Sequence, residues 1–183
     1  LRKSIALSAG IQHRGHNVRF SINLSAHAFH DPELLPILTE TFAHYGADPS
    51  TFMFEITETA ALEDLPAARK LMETIKTLGC SFTLDDFGVG FSSFYYIRQL
   101  PIDMVKIDGS SIRNLADNPD DQILVKALCD VARGFGKQTT AEFVESAATF
   151  SLLEKMQVDY AQGYWIGTPV PAHESPFKDY LQE

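Results

Sequence analysis

The chain has 183 residues, of which 45% are hydrophobic and 21% are charged, and this balance excludes an intrinsically disordered protein. The length predicts one compact domain. The formal net charge is -9 and no stretch is rich in lysine and arginine, so a groove for duplex DNA is disfavoured and no DNA partner is expected. An acidic chain can still bind a phosphate ligand where metal ions lie between its carboxylates and the phosphate.

The two cysteines, Cys80 and Cys129, lie in or beside apolar segments and lack metal-binding spacing. We expect buried free thiols in a reducing compartment. No apolar stretch approaches the roughly 18 residues of a membrane span, and the N-terminus predicts a polar-faced helix rather than a signal peptide. The sequence therefore predicts a cytoplasmic segment, which a longer parent protein can still anchor to a membrane.

Short apolar runs alternate with longer segments of helical periodicity, a pattern typical of repeated β-α units. Strands are predicted at residues 18–24, 52–56, 81–84, 104–107, 138–141 and 159–161. Helices are predicted at residues 32–46, 66–79 and 120–136, each ending in a glycine suited to a left-handed C-cap, and at 146–157 with Ser146 as N-cap. This order fits either a parallel barrel or an open doubly wound sheet, and in both the ligand lies at the C-terminal ends of the strands.

All six predicted strands end in polar or charged residues: Asn23, Glu55, Glu58, Asp85, Asp86, Lys106, Asp108, Glu142, Glu145 and Gln162. Any one of them fits a cap or a solvated loop, but their common position points to a site. Burying several unpaired carboxylates costs several kcal/mol per ion, and oxygen-ligated cations with a lysine compensate for that cost. The pattern predicts a site for Mg²⁺ or Mn²⁺, of the two-ion kind that cleaves phosphate esters.

The neighbouring acids Asp85 and Asp86 raise a geometric question. Successive side chains of a strand point to opposite faces, so we expect the strand to end at Leu84 and the backbone to turn, which lets both acids face one site. Gly88 and Gly90 are expected to let the following loop bend sharply.

Six motifs follow one another along the chain: NLS at 23–25, FEITET at 54–59, DDFGVGFSS at 85–93, LPIDMVKIDGS at 100–110, AEFVES at 141–146 and DYAQGYWIGTP at 159–169. In order and spacing this set resembles the EAL domain, a phosphodiesterase family that hydrolyses cyclic di-GMP. The resemblance runs from about Val18 to about Pro171. It implies a TIM-barrel-like (β/α)8 variant with one antiparallel strand, and two-metal hydrolysis to linear pGpG.

The resemblance also implies a role for each matched residue. Asn23, Glu55 and Asp85 resemble ligands of a first ion, with Asp85 bridging, and Asp86 and Glu142 resemble ligands or water-linked partners of a second. Lys106 matches the lysine that holds the nucleophilic water, and Gln162 matches a glutamine near that water and the phosphate. Glu145 matches an acid that supports the site or ligand, and Glu58 one that anchors the loop after the paired aspartates.

Two departures from the family pattern stand out. Phe143 occupies a position that is commonly glycine, and we expect a tolerated variant because the neighbouring acids and valine remain. The Glu-Ala-Leu triplet that names the family is absent, and is expected upstream of Leu1. We therefore expect residues 1–183 to be a single EAL domain fragment lacking its N-terminal part, with about six barrel strands. Open sheet edges predict impaired turnover for such a fragment.

The main alternative is a degenerate EAL domain that acts as a non-catalytic cyclic di-GMP receptor, although the matched ligand positions favour catalysis by the parent domain. A third reading is an unrelated barrel enzyme with one Mg²⁺, or a structural barrel. The resemblance further implies a homodimer and neighbouring GGDEF, PAS or receiver domains. Tyr164 and Trp165 are expected to pack rather than to bind ligand.

Overall fold

The computed structural model describes residues 1–89, 97–171 and 174–175. Its helices are α1 Arg2–His13, α2 Leu34–Tyr45, α3 Glu58–Glu63, α4 Leu65–Thr77, α5 Gly109–Ile112, α6 Pro119–Gly134 and α7 Ala147–Lys155. Its strands are β1 Phe20–Asn23, β2 Phe52–Thr57, β3 Ser81–Phe87, β4 Met104–Ile107, β5 Gln138–Ala141 and β6 Tyr160–Ala161. Short 3₁₀ helices occupy Ala26–His30 and Pro49–Thr51.

The strands form one parallel sheet in the order β1-β2-β3-β4-β5-β6. A doubly wound sheet reverses its strand order at a switch point, whereas a β/α barrel adds each strand beside the previous one. The sheet is thus a curled half-barrel of the TIM type, which confirms the barrel implied by the family resemblance and the six strands predicted from the apolar runs. The antiparallel strand implied by the family resemblance does not occur among the strands described here.

Local sequence signals account for most of the helix boundaries. Side chains of Asp64, Asn118 and Ser146 accept hydrogen bonds from backbone N–H groups in the first turns of α4, α6 and α7. The predicted glycines at the helix ends, Gly46, Gly79 and Gly136, have positive φ angles. The helices therefore begin and end close to where the sequence predicts.

The core lies between the strands and the helices that cover them. Phe52, Phe54, Phe82 and Phe87 are fully buried, and the Phe54 and Phe82 rings lie 5.8 Å apart on neighbouring strands. All four residues of β4 are buried, whereas β1 alternates between half-buried and exposed residues. The central strands are thus covered on both faces, as in other parallel sheets, and they supply a rigid base for the groups at their C-terminal ends.

Two aromatic residues after β6 do not pack as predicted. Tyr164 is 69% exposed and Trp165 is 54% exposed. They lie in a turn that follows the short strand β6. None of the described helices is both long enough and apolar enough to cross a membrane.

Both cysteines are free and buried, as predicted. Burial raises the pKa of Cys80 to about 11, and the charge of Asp48 adds to this effect. Burial likewise raises the pKa of Cys129 to about 11. Because the thiolate is the reactive form, both thiols should be inert in the folded protein.

We expect a thiol reagent such as DTNB to react negligibly with the native protein at pH 8 and with two thiols per chain after unfolding in guanidinium chloride. A Ser151→Cys variant, which adds an exposed thiol on α7, serves as a positive control and should react rapidly with one thiol per native chain. Rapid reaction of two thiols in the native wild-type protein would contradict the buried positions.

Candidate functional site

A buried lysine lies at the centre of the acidic residues. Lys106, on β4, is only 7% exposed. Its Nζ lies 2.7 Å from Glu142 Oε1 and 3.1 Å from Glu55 Oε2. The same Nζ lies 3.3 Å from Asp85 Oδ1. One ammonium group therefore pairs with three carboxylates, each from a different segment of the chain.

The strand register explains this convergence. Asn23 pairs with Glu55 across β1 and β2, and Thr57 pairs with Asp85 across β2 and β3. Glu142 directly follows β5, and its N–H donates to the carbonyl oxygen of Ile107, 3.3 Å away. Registered partners in a parallel sheet point to the same face, so residues remote in sequence share one end of the half-barrel.

The paired aspartates face the site through a β-bulge, not through the end of the strand. Leu84 pairs with Val105 and Phe87 pairs with Ile107, so β3 contains one residue more than β4 between these pairs. Asp86 has a φ of 58°, and its N–H donates to Asp85 Oδ1 at 3.1 Å. The prediction that the strand ends at Leu84 was wrong, because the extra residue breaks the alternation while the strand continues to Phe87.

Three acids lie close enough together to share a cation. Asp85, Asp86 and Glu142 each offer a carboxylate oxygen, and these oxygens lie within 4.8 Å of one another. An all-oxygen donor set suits hard ions such as Mg²⁺ and Mn²⁺. Thr83, which pairs with Glu55 in the register, has a buried hydroxyl without a hydrogen-bond partner among the described residues. The donors present fit the divalent ions predicted from the sequence.

The clustered charge shifts the pKa of several groups. Burial raises the pKa of Asp86, and repulsion from Asp85 and Asp108 raises it further against the opposing charge of Lys106. Burial also raises the pKa of Glu142, although its hydrogen bond to Lys106 works in the other direction. The acids carry more negative charge than the single lysine neutralises, which favours an added cation.

Lys106 stays protonated in this setting. Burial alone would lower its pKa, but the hydrogen bond to Glu142 and the charges of Glu55 and Asp85 outweigh burial and raise the pKa above its ordinary value. The ammonium group can therefore donate hydrogen bonds and positive charge, and it is unsuited to act as a base.

A cavity of about 350 Å³ lies beside Glu142. The remaining predicted residues of the last two motifs, Glu145 and Gln162, line it together with Phe143, Gly163 and Tyr164. The backbone N–H of Gln162 donates to the carbonyl oxygen of Ala141 at 2.8 Å, which extends the sheet past β6. Glu145 and Gln162 thus lie at the edge of the acidic cluster, outside the contacts of Lys106.

The predicted supporting residues occupy distinct positions. Glu58 is buried at the start of α3, directly after β2. Gly88 has a φ of 100°, and a Cβ there would lie 2.8 Å from Leu128 Cδ1, so a larger residue would be both strained and crowded. Gly90 and residues 91–96 of the loop that Glu58 is expected to anchor lie outside the described residues.

The structure also shows the contacts of Asp108, Arg113 and Thr83, and only Asp108 was among the predicted strand-end residues. Asp108 caps α5 by accepting a hydrogen bond from Ser110 N–H at 2.9 Å. A helix cap is one of the structural roles that the sequence already allowed for a residue at a strand end. The guanidinium of Arg113 lies 4.2 Å from the ring centroid of Phe143. Neither that contact nor the Thr83 hydroxyl, which lacks a hydrogen-bond partner within the described part of the chain, carries a local sequence signal.

We expect a Lys106→Met variant to be less stable than the wild-type protein by about 3–5 kcal/mol in EDTA, because it leaves three buried carboxylates without their cation. Added Mg²⁺ should restore part of the loss by neutralising the same acids. Unfolding in urea, followed by circular dichroism with EDTA and with Mg²⁺, measures both effects.

The matched control is Lys126→Met, which removes an exposed lysine paired with Asp130 on α6. This variant should leave the unfolding midpoint nearly unchanged and should show no added response to Mg²⁺. Equal midpoints for the two variants in EDTA would contradict the central role of Lys106.

Comparisons with curated proteins agree with the motif resemblance. The chain is 40% identical over 151 residues to the cyclic di-GMP phosphodiesterase PdeB of Shewanella oneidensis, covering 82% of this chain and 18% of that protein. It is 34% identical over 153 residues to the cyclic di-GMP phosphodiesterase PdeF of Escherichia coli, covering 84% and 20%. The chain therefore spans a small part of the length of these relatives.

Solved structures match the fold closely. A PaMucR phosphodiesterase in complex with c-di-GMP superposes with a TM-score of 0.86 at 29% identity, over 94% of this chain and 71% of that one. The FimX EAL domain from Pseudomonas aeruginosa, bound to c-di-GMP, gives 0.87 at 29% identity, over 96% and 70%. The sequence profile described as EAL domain matches residues 1–169. This chain belongs to the EAL domain family.

Proposed function

We propose that the chain contributes the cation-binding and phosphate-binding part of a phosphodiesterase that hydrolyses cyclic di-GMP to linear pGpG. The observation that carries the proposal is the buried Lys106, held by three carboxylates at the C-terminal ends of parallel strands, with Asp86 beside them. The names of PdeB and PdeF, and the ligand of the PaMucR structure, support the choice of substrate.

The residues matched as ligands would form two sets, each of which would hold one divalent ion. Asn23, Glu55 and Asp85 come from three neighbouring strands and would hold one ion. Asp86 and Glu142 would hold the other, and their carboxylate oxygens lie within 4.8 Å of a carboxylate oxygen of Asp85. Bound Mg²⁺ or Mn²⁺ would polarise the phosphate and lower the pKa of a water molecule.

The chain's own residues supply orientation and charge. Lys106 stays protonated, so it can donate hydrogen bonds to an attacking water or to a phosphate oxygen and can stabilise the charge that develops there. Gln162 lines the cavity next to Glu142 and offers a neutral amide for the same phosphate. Glu145, at the edge of that cavity, would support the ligand rather than the cations.

The rigid sheet keeps these groups in place. Glu55, Asp85 and Lys106 lie on strands whose registers are set by backbone pairing. The regular pairing of β3 with β4 is broken at the bulge at Asp86. The bulge brings the Asp86 carboxylate close to those of Asp85 and Glu142. Sites built on such elements lose little free energy to reorganisation when charge develops.

We expect protein that contains these 183 residues to release pGpG from cyclic di-GMP only when Mg²⁺ or Mn²⁺ is present. Glu55→Gln should lower kcat by about 100-fold or more, because it removes a charged ligand and an ion-pair partner of Lys106. Chromatographic separation of substrate and product measures the rate, and calorimetry measures binding.

Glu154→Gln, at an exposed position of α7, is the matched control and should retain wild-type activity. Binding of cyclic di-GMP without release of pGpG would replace catalysis by a receptor function. Absence of binding by the wild-type protein would overturn both. A homodimer and adjacent GGDEF, PAS or receiver domains stay predictions from the family resemblance.

A further inference from the structure

Phe143 has a backbone conformation that an aromatic residue rarely adopts. It directly follows Glu142 and has a φ of 53°, in the left-handed region that favours glycine. Backbone hydrogen bonds hold the next residue on both sides: Val144 N–H donates to the Gln162 carbonyl at 3.0 Å, and Trp165 N–H donates to the Val144 carbonyl at 3.0 Å. These hydrogen bonds to the segment after β6 hold the backbone at this turn, and a bulky residue with a positive φ there costs free energy that glycine would avoid.

The ring of Phe143 is held in a defined place. Gly109 lies directly against it, since a Cβ at Gly109 would come within 2.0 Å of Phe143 Cδ2. The guanidinium of Arg113 lies 4.2 Å from the ring centroid, which is the geometry of a cation-π contact. Both partners belong to α5 and its C-cap, so one short helix positions the ring.

In spite of these contacts, Phe143 remains 40% exposed and lines the cavity next to Glu142 and Gln162. A ring that served only to fill the core would be buried. A flat apolar surface held beside groups proposed to bind cations and phosphate suits a nucleotide base, because bases stack on aromatic rings without requiring a particular hydrogen-bond pattern.

We propose that Phe143 is a specificity-determining residue whose ring stacks on one base of the bound cyclic dinucleotide. Gly109 and Arg113 act as positioning residues for that ring. The inference rests on the proposed function, since the phosphate at Glu142 and Gln162 brings an attached base within reach of the cavity. It assigns a binding role to a half-exposed ring that Gly109 and Arg113 hold beside Glu142 and Gln162.

Two measurements test the proposal. The first is steady-state kinetics with cyclic di-GMP and Mg²⁺, which gives KM and kcat separately. The second is the fluorescence of a cyclic di-GMP analogue carrying 2-aminopurine in place of one guanine, since stacking on a ring quenches its emission. We expect Phe143→Leu and Phe143→Gly to raise KM at least about fivefold, to change kcat less than twofold, and to lose the quenching.

Further variants separate stacking from packing. Phe143→Tyr keeps a ring and should retain both the wild-type KM and the quenching. Gly109→Ala keeps Phe143 but displaces its ring, and should raise KM as Phe143→Leu does. Phe135→Gly is the matched control: Phe135 is 44% exposed, but it precedes β5 at the opposite end of the sheet, so neither measurement should change.

The outcomes distinguish this inference from the proposed function. If wild-type protein neither binds nor hydrolyses cyclic di-GMP, the proposed function fails and this inference fails with it. If the wild-type protein is active and Phe143→Leu retains its KM and quenching, the ring has a packing role and only the stacking inference is overturned. Loss of quenching with a raised KM in both Phe143→Leu and Gly109→Ala supports it.

Discussion

The ion pairs of Lys106 with Glu55, Asp85 and Glu142 are the constraint on which the rest of the site depends. Each partner comes from a separate strand or strand end, so the contacts form only when β2 to β5 are paired in one register. A single ammonium group cannot neutralise all the acids that the sheet brings together. The arrangement therefore leaves net negative charge at this end of the sheet, where Asp85, Asp86 and Glu142 lie close together.

Irregular backbone is concentrated at this end of the sheet. Among the described residues other than glycine, Asp86, Phe143 and Gln157 have positive φ angles, and the first two lie at the acidic site. Asp86 is the extra residue of a bulge, and Phe143 directly follows an acid that contacts Lys106. A strained backbone conformation persists only where contacts with the surrounding structure hold it in place, and such conformations are common at binding sites. Regular pairing in the rest of the sheet supplies that support.

The sequence predicted the order of strands and helices and the acidic cluster for identifiable reasons, whereas the choice of a barrel came from the family resemblance. Helical periodicity, capping side chains and glycines located the long helices, and apolar runs located the six strands. Glu55, Asp85, Lys106 and Glu142 stood out because each occurs at or just after the end of a predicted strand. In a parallel β/α fold these ends meet, so a position along the chain already specifies proximity in space.

Other features could not be read from local patterns. The bulge at Asp86 depends on how β3 pairs with β4, and the ring of Phe143 depends on Gly109 and Arg113, some thirty residues earlier in the chain. By itself the sequence determined which residues lie at the C-terminal ends of the strands, because hydrophobic periodicity is a local property. Only the tertiary structure decided which side chains face one another there, because strand register and contacts between distant segments are set by packing of the whole sheet.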